Sequence, residues 1–160
     1  MTNNDILRRI RYTFDFDDSK MMTLLSLEDE PVTREQMSDW LKKDDDPAFQ
    51  ECKDIQLAIF LNNLIDDKRG KKEGAQPQLE KHLTNNIILK KLKIALNLKD
   101  EGILELMELA EFPISKHELS ALFRKKGHKN HRVCKDQMLR NFLQGMQKKY
   151  RAKDYYKQEK

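Results

Sequence analysis

Cationic and histidine side chains are concentrated in residues 124–132, between two stretches of helical periodicity. This segment contains five fixed cations, two histidines and an asparagine within nine residues. Such a set suits contacts to phosphate oxygens, which give salt-sensitive affinity without base readout. The alternative is a solvated basic loop, because charge patterns are weakly specific. The candidate nucleic-acid-binding residues are Arg124, Lys125, Lys126, His128, Lys129, His131 and Arg132, and Lys90, Lys91 and Lys93 could extend the surface.

Metal and catalytic chemistry have weaker support. His128, His131 and Cys134 are spaced three apart, but a structural zinc site usually needs four ligands. The acidic run 44–46 lacks the ligand spacing of an EF-hand loop. No nucleophile elbow, Ser/His/Asp set or glycine-rich phosphate loop can be assembled. The sequence therefore predicts a non-enzymatic protein without catalytic residues, metal or cofactor.

The elements that must position these side chains occur twice. Residues 3–70 align without a gap with residues 85–152, 82 positions later. The segment Cys52-Lys53-Asp54 recurs as Cys134-Lys135-Asp136, and the pair Asn3-Asn4 recurs as Asn85-Asn86. Such self-similarity indicates an internal duplication. We expect both cysteines to be small buried residues that lead into a helix.

Each repeat is predicted to form four short helices. An asparagine of the pair Asn3-Asn4, and of the pair Asn85-Asn86, could cap the first helix, and Asp54 and Asp136 are predicted caps of the fourth. Thr33 to Gln36 and Ser115 to Glu118 fit a capping box at the third helix. Apolar residues at helical spacing predict the core. They are Ile6, Leu7, Ile10, Phe14, Met21, Leu24, Leu25, Met37, Trp40, Leu41, Leu57, Phe60, Leu61, Leu64, Ile88, Leu89, Leu92, Leu96, Ile103, Leu106, Met107, Leu119, Leu122, Phe123, Leu139, Phe142, Leu143 and Met146.

The predicted fold is all-α, with two homologous four-helix repeats packed with pseudo-twofold symmetry. The repeats are residues 1–70 and 85–152, joined by a linker at 71–84 and followed by a polar, frayed tail at 153–160. The linker contains Gly70, Gly74 and Pro77 at or near its start, which predict non-helical backbone.

The second and third helices loosely resemble a helix-turn-helix. The turn contains proline, and the positive charge lies at the C-terminal end of the third helix rather than at its start. Recognition helices usually contact bases from their N-terminal part. Sequence-specific DNA reading is therefore the weaker interpretation.

The two repeats differ in the sign of their charge. Residues 3–70 contain 10 Lys or Arg against 16 Asp or Glu, whereas residues 85–152 contain 15 against 7. The basic repeat could bind nucleic acid or another acidic partner. Alternatively, the two repeats could attract each other or a second chain head to tail, which would make a homo-oligomer.

The cellular setting is predicted from absences in the sequence. No apolar run is long enough to span a membrane, the N-terminus has no secretory signal pattern, and two cysteines do not form a disulfide framework. We therefore expect a cytoplasmic protein that does not bind membranes.

Residues 3–12, 60–70 and 85–93 and the segment His128-Lys129-Asn130 resemble the YehS-like family of bacterial proteins. The resemblance covers about residues 1–150. It implies a bacterial cytoplasmic protein with a duplicated domain of unknown function, and it provides no catalytic residue to transfer. His131 is a departure, because an aromatic such as phenylalanine is expected there.

These observations predict a non-enzymatic protein that contacts RNA or DNA through its basic second repeat. A protein-interaction or self-associating module is the alternative, and a metal protein or enzyme is the third possibility.

Overall fold

The computed structural model describes residues 1–71, 73–74 and 78–151. The described residues form α-helices, one short π-helical segment, turns and loops, and their only β feature is an isolated bridge between Leu27 and Glu30. The prediction of an all-α fold is confirmed. Part of the predicted linker, including Pro77, and the predicted frayed tail lie outside the described residues.

The chain divides into two compact units, unit 1 (Met1–Leu83) and unit 2, which begins at Thr84. Each helix of unit 2 begins 82 residues after its counterpart in unit 1, which confirms the two homologous four-helix repeats. The pseudo-twofold packing of the repeats stays a prediction. Unit 1 contains α1 (Asn3–Phe14), α2 (Asp18–Leu25), α3 (Arg34–Leu41) and α4 (Asp54–Arg69); unit 2 contains α5 (Asn85–Ala95), α6 (Asp100–Leu109), α7 (Lys116–Leu122), α8 (Asp136–Met146) and the π-helical segment Gln147–Arg151.

The third helix of each unit begins at the predicted capping box. The Thr33 hydroxyl accepts a hydrogen bond from the Gln36 backbone N–H, and the Gln36 side chain accepts one from the Thr33 backbone N–H. Ser115 and Glu118 exchange the equivalent pair. Each box satisfies two amide groups that a helix start leaves free.

The predicted caps are wrong by one or two residues at the first helix and by one residue at the fourth. Thr2 and Thr84 are the N-caps of α1 and α5, and each hydroxyl accepts from a backbone N–H three residues later. Lys53 and Lys135 occupy the N-cap positions of α4 and α8. Asn3, Asn85, Asp54 and Asp136 are instead the first residues of their helices. The side chain of Asn3 bonds to that of Asp54, and the side chain of Asn85 bonds to that of Asp136.

Most of the predicted core is buried, but five of its residues are only half-buried. Those five are Phe14, Trp40, Leu41, Leu96 and Phe123. Each lies in the last two residues of its helix or at its C-cap, where the apolar stripe reaches the surface of the unit. Conversely, α4 also buries Ala58 and Ile59, outside its predicted stripe. The unbroken apolar run 57–61 was the signal for a helix buried on more than one side.

The contact between the second and fourth helices is built differently in the two units. In unit 1, the Asn63 side chain donates to the carbonyls of Leu24, at 2.8 Å, and Ser26, at 2.9 Å. The equivalent residue of unit 2 is Gly145. A Cβ atom there would lie 2.7 Å from the Leu106 carbonyl carbon and closer still to its oxygen. Glycine therefore lets the backbones of α6 and α8 come into contact.

Candidate nucleic-acid interface

The basic loop, residues 124–132, is closed at its ends by one asparagine of α5. Asn86 Nδ2 donates to the carbonyls of Leu122 and Arg132, both at 2.9 Å. Asn86 Oδ1 accepts from the Cys134 backbone N–H at 2.9 Å. A fourth bond, from Arg132 N–H to the Ala121 carbonyl at 3.0 Å, joins the two ends directly. The position of the loop is thus set by α5 and by the end of α7.

Both histidines of the basic loop hold its backbone. The Asn130 N–H donates to His128 Nδ1 at 3.0 Å, and His131 Nδ1 lies 2.9 Å from the Arg124 carbonyl. Because a carbonyl only accepts, the His131 Nδ1 must carry the proton. Two backbone bonds, from His128 N–H to Lys125 O and from His131 N–H to His128 O, complete two consecutive turns. Hydrogen bonds therefore join residues at both ends and in the middle of the loop.

The acidic loop, residues 42–50 of unit 1, is built on the same framework. Asn4 Nδ2 donates to the carbonyls of Trp40 and Gln50, both at 2.8 Å, and Asn4 Oδ1 accepts from the Cys52 N–H. The Asp46 carboxylate takes the place of the His128 ring and accepts from the Ala48 N–H. The backbone conformations of the two loops differ at Gly127, whose φ of 97° favours glycine. The duplication has thus kept the loop framework and changed its charge.

The repeated Cys-Lys-Asp segment belongs to this framework. Asn85 Nδ2 donates to the Cys134 carbonyl at 3.0 Å and to the Asp136 carboxylate at 2.7 Å, and Asn3 makes the equivalent pair in unit 1. The hydrogen bond from Asn85 lowers the pKa of Asp136. Both cysteines are buried, as predicted. Burial raises the pKa of the Cys52 thiol to about 12 and that of the Cys134 thiol to about 11, with nearby carboxylates adding to the effect. The raised pKa values disfavour the thiolate, which is the reactive form.

The cations of the basic loop are exposed. Arg124, Lys125, Lys126, Lys129 and Arg132 all lie at the surface. Within the described part of the chain, none of the five forms an ion pair with a carboxylate. The His128 side chain is also exposed, and the His131 side chain is half-buried. The structure therefore brings all seven predicted loop residues together on one hydrogen-bonded loop.

Two of the three predicted α5 lysines lie beside the basic loop. Asn86, Lys90 and Lys93 are spaced i, i+4 and i+7 and so share a helix face. Asn86 holds the loop ends, and Lys93 Nζ lies 4.6 Å from the ring centroid of Phe123, the residue before the loop. Lys90, between them, is exposed. Lys91 is half-buried on another side of α5, so the prediction that it extends this surface receives no geometric support.

The corresponding cations of unit 1 are held within their own unit. Arg8, the counterpart of Lys90, pairs with Asp5 and donates to the Lys42 carbonyl at 2.7 Å. Arg11, the counterpart of Lys93, pairs with Asp18 at 2.8 Å. In unit 2 the position of Asp5 is occupied by Ile87, and the carbonyl equivalent to that of Lys42 bonds to His131. Unit 2 has thus gained cations in its loop, and the two contacts made by Arg8 have no equivalent at Lys90.

The candidate metal ligands do not assemble in the described residues. No group of three or more His, Cys, Asp or Glu side chains there could hold a metal ion, so His128, His131 and Cys134 do not form a ligand set. The helix-turn-helix interpretation of α6 and α7 stays a prediction; at the start of α7, Lys116 lies 3.9 Å from Glu101 in an ion pair. None of the described helices has the length and apolar character needed to cross a membrane.

Sequence reasoning missed the role of Asn86 and its counterpart Asn4. The available signal was the identity of the Asn-Asn and Cys-Lys-Asp segments in both repeats. Two polar segments that stay identical while the loop between them changes charge indicate a shared framework.

Comparison with known proteins identifies the duplication with a known family. The sequence profile described as "Protein of unknown function (DUF1456)" matches residues 3–70 and 85–152. A protein of Escherichia coli (strain K12) described as "Uncharacterized protein YehS" is 45% identical over 148 residues, which are 91% of this chain and 94% of the relative. No solved structure matches the chain.

Proposed function

This chain belongs to the family described as "Protein of unknown function (DUF1456)", and we propose that it is a non-enzymatic protein that binds RNA or DNA through unit 2. The contacts are made by the cations of the basic loop, with Lys90 and Lys93 beside them. The bacterial and cytoplasmic setting expected for the chain belongs to the same proposal.

One observation carries the proposal. The acidic and basic loops share a hydrogen-bonded framework, yet none of the five cations of the basic loop has a carboxylate partner among the described residues. Packing and folding required only the framework, since unit 1 has it without the charge. The exposed cations of Lys125, Lys126 and Lys129 are therefore explained best by a partner outside the unit.

The chemistry of that partner follows from the side chains. Guanidinium groups at Arg124 and Arg132 can each donate two parallel hydrogen bonds to a phosphate, and the lysines act as point charges. Binding releases the counterions condensed on the nucleic acid, so affinity falls steeply with salt. Contacts of this kind fix position without reading sequence.

The test is a fluorescence-anisotropy titration of the full chain against labelled RNA and DNA between about 50 mM and about 200 mM salt. We expect the triple variant Arg124→Ala, Lys125→Ala and Lys126→Ala to flatten the plot of log affinity against log salt. The slope should lose about 2 for single strands and nearly 3 for B-form DNA, because each phosphate contact contributes roughly 0.7 or 0.9.

A matched control removes three exposed lysines of unit 1, at Lys43, Lys53 and Lys71. It changes the net charge by the same amount, so it separates the loop from the overall charge of the chain. Absence of binding at the lowest salt, or an equal effect of the two triple variants, contradicts the proposal.

Self-association is a second candidate function, favoured by the opposite charges of two loops on one framework. In that case the acidic loop of one chain approaches the basic loop of another, and the partner of unit 2 is a second copy.

A further inference from the structure

We infer that the nucleic acid bound by unit 2 is a duplex, contacted along its phosphate backbone. The inference rests on the proposed function and narrows its substrate class. DNA and RNA duplexes both present closely spaced phosphates, and these phosphates are the groups that unit 2 would bind.

The first support is that the described part of unit 2 has no aromatic base-stacking surface within the basic loop. Single-strand binders generally combine a basic groove with aromatic rings on which the bases stack. Unit 2 has four phenylalanine or tyrosine residues in its described part, namely Phe112, Phe123, Phe142 and Tyr150. None of the four lies within the loop.

None of these rings lies exposed beside the cations of the loop. Phe142 is fully buried, and Phe123 is half-buried with Lys93 Nζ over its ring at 4.6 Å. Phe112 is exposed, but it precedes the start of α7 whereas the loop follows its end. Seven helical residues separate the two sites, about 10 Å at 1.5 Å per residue. Tyr150 lies in the π-helical segment beyond α8 and is half-buried.

The imidazole rings of the loop are already used to hold its backbone. His128 and His131 each use Nδ1 to hold the loop backbone, so their orientation is set by that role. The ring of His131 is in addition half-buried. A base could stack on either ring only in the orientation that the hydrogen bond of that ring to the loop backbone allows.

The second support is the shape of the cationic surface. Arg124 and Arg132 lie at the closed ends of the loop, because His131 bonds to the Arg124 carbonyl and the Arg132 N–H to the Ala121 carbonyl. Lys125, Lys126 and Lys129 lie farther out, and residues 124–130 are all exposed. The cations of the loop therefore lie on a continuously exposed segment, whereas single strands usually follow a groove.

The third support is that the basic loop and a nucleic-acid duplex are both ordered before they bind. The loop is held by Asn86 and by its two turns, so little of its conformational freedom remains to be lost on binding. A duplex is also ordered before it binds, and it carries about one charge per 1.7 Å of its axis. A single strand must be ordered at a cost in entropy and would receive no stacking in return.

The experiment uses the full chain and four labelled probes of one sequence and equal length: single-stranded DNA, single-stranded RNA and the duplex of each. We expect at least one duplex to bind about tenfold or more tightly than either of its strands. Comparison of the two duplexes identifies the source of the phosphates. A duplex of different sequence should bind with the same affinity.

The outcomes separate this inference from the proposed function. Single strands that bind as tightly as both duplexes, or more tightly, overturn the duplex inference and leave nucleic-acid binding intact. Absence of binding to all four probes overturns both.

A gain-of-function variant provides a second readout. Val133 is 69% exposed and directly follows the basic loop. Val133→Trp should raise single-strand affinity by about fivefold or more, since one stacked base is worth roughly 1–3 kcal/mol. Duplex affinity should not change, and Val133→Leu is the control. The inference is contradicted if the wild-type chain already binds single strands as tightly as duplexes and Val133→Trp does not raise that affinity.

Discussion

Two asparagines at equivalent positions perform the same structural task for loops of opposite charge. Asn4 and Asn86 each bond to two carbonyls and to the N–H of the following cysteine. An amide is suited to this task because it donates and accepts at once. A side chain without both functions leaves backbone groups unpaired in a part-buried place.

Replacement of either asparagine by alanine should lower the free energy of unfolding by roughly 2–3 kcal/mol, because three hydrogen bonds are lost. Urea denaturation measures this change. Only Asn86→Ala should also weaken nucleic-acid binding, since only its loop carries the cations. Asn4→Ala is the matched control, and equal weakening by both variants would show that the effect on binding is a general loss of stability.

The two thiols should be unreactive in the folded chain. The pKa of Cys52 is raised to about 12 and that of Cys134 to about 11, first of all by burial. Near pH 8 almost no thiolate is present in the folded state, and the thiolate is the reactive form. A thiol-specific chromogenic reagent should modify neither cysteine before unfolding and both in guanidinium chloride. Rapid modification of the native chain would contradict this assignment.

The raised pKa values also set the direction of a pH effect on stability. An unfolded thiol ionises near its ordinary value of 9.0, whereas the folded thiols keep their protons. The unfolded state therefore binds fewer protons above that pH, and the thiols' contribution to stability falls until the pH reaches the folded pKa values.

At the scale of elements, the contact between α6 and α8 depends on the absence of a side chain at Gly145. Gly145→Ala should destabilise the chain by roughly 1–3 kcal/mol, because a Cβ would overlap the Leu106 carbonyl and force the two helices apart. Thermal unfolding followed by circular dichroism measures the effect.

Gly102, inside α6, is the control for Gly145. A Cβ there would meet only the side chain of Leu98, its nearest atom at 3.0 Å. Its replacement by alanine should be near neutral or slightly stabilising, since alanine favours a helix interior by about 1 kcal/mol. Equal loss of stability in both variants would show that the close approach at Gly145 is not the cause.

The shared loop framework makes the two loops exchangeable. A chain in which residues 124–132 are replaced by the sequence of residues 42–50 should fold, because Asn86 bonds only to backbone groups of the loop and its neighbours. We expect an unchanged circular dichroism spectrum, a melting temperature within a few degrees of the wild type, and loss of nucleic-acid binding. A folded graft that still binds with wild-type affinity would place the interface elsewhere.

For the whole molecule, the opposite charges of the two repeats predict how the chain associates. If a second copy were the partner of the basic loop, light scattering without nucleic acid would detect dimers or larger species at low salt that dissociate as salt screens the charges. The nucleic-acid proposal instead predicts that the mass stays constant across salt, and that the Arg124/Lys125/Lys126 triple variant does not change it. Salt-dependent mass that the triple variant abolishes would favour self-association.

The duplication, the helix starts and most of the core could be predicted from the sequence alone. Helical spacing of apolar residues and the side chains of a capping box act over a few positions, so Met37 and the Thr33 box could be found from local pattern. The charge of the basic loop is likewise a property of composition.

The tertiary structure decided which polar residues act together. Asn86 and the loop ends lie 36 to 46 positions apart in the chain, and no local rule specifies a hydrogen bond over that distance. The same folding placed Lys90 and Lys93 beside the loop, left Lys91 on another side of α5, and brought the ends of helices to the surface at Phe14 and Phe123. Position along the chain determined the elements, whereas the packing of those elements determined which side chains could meet.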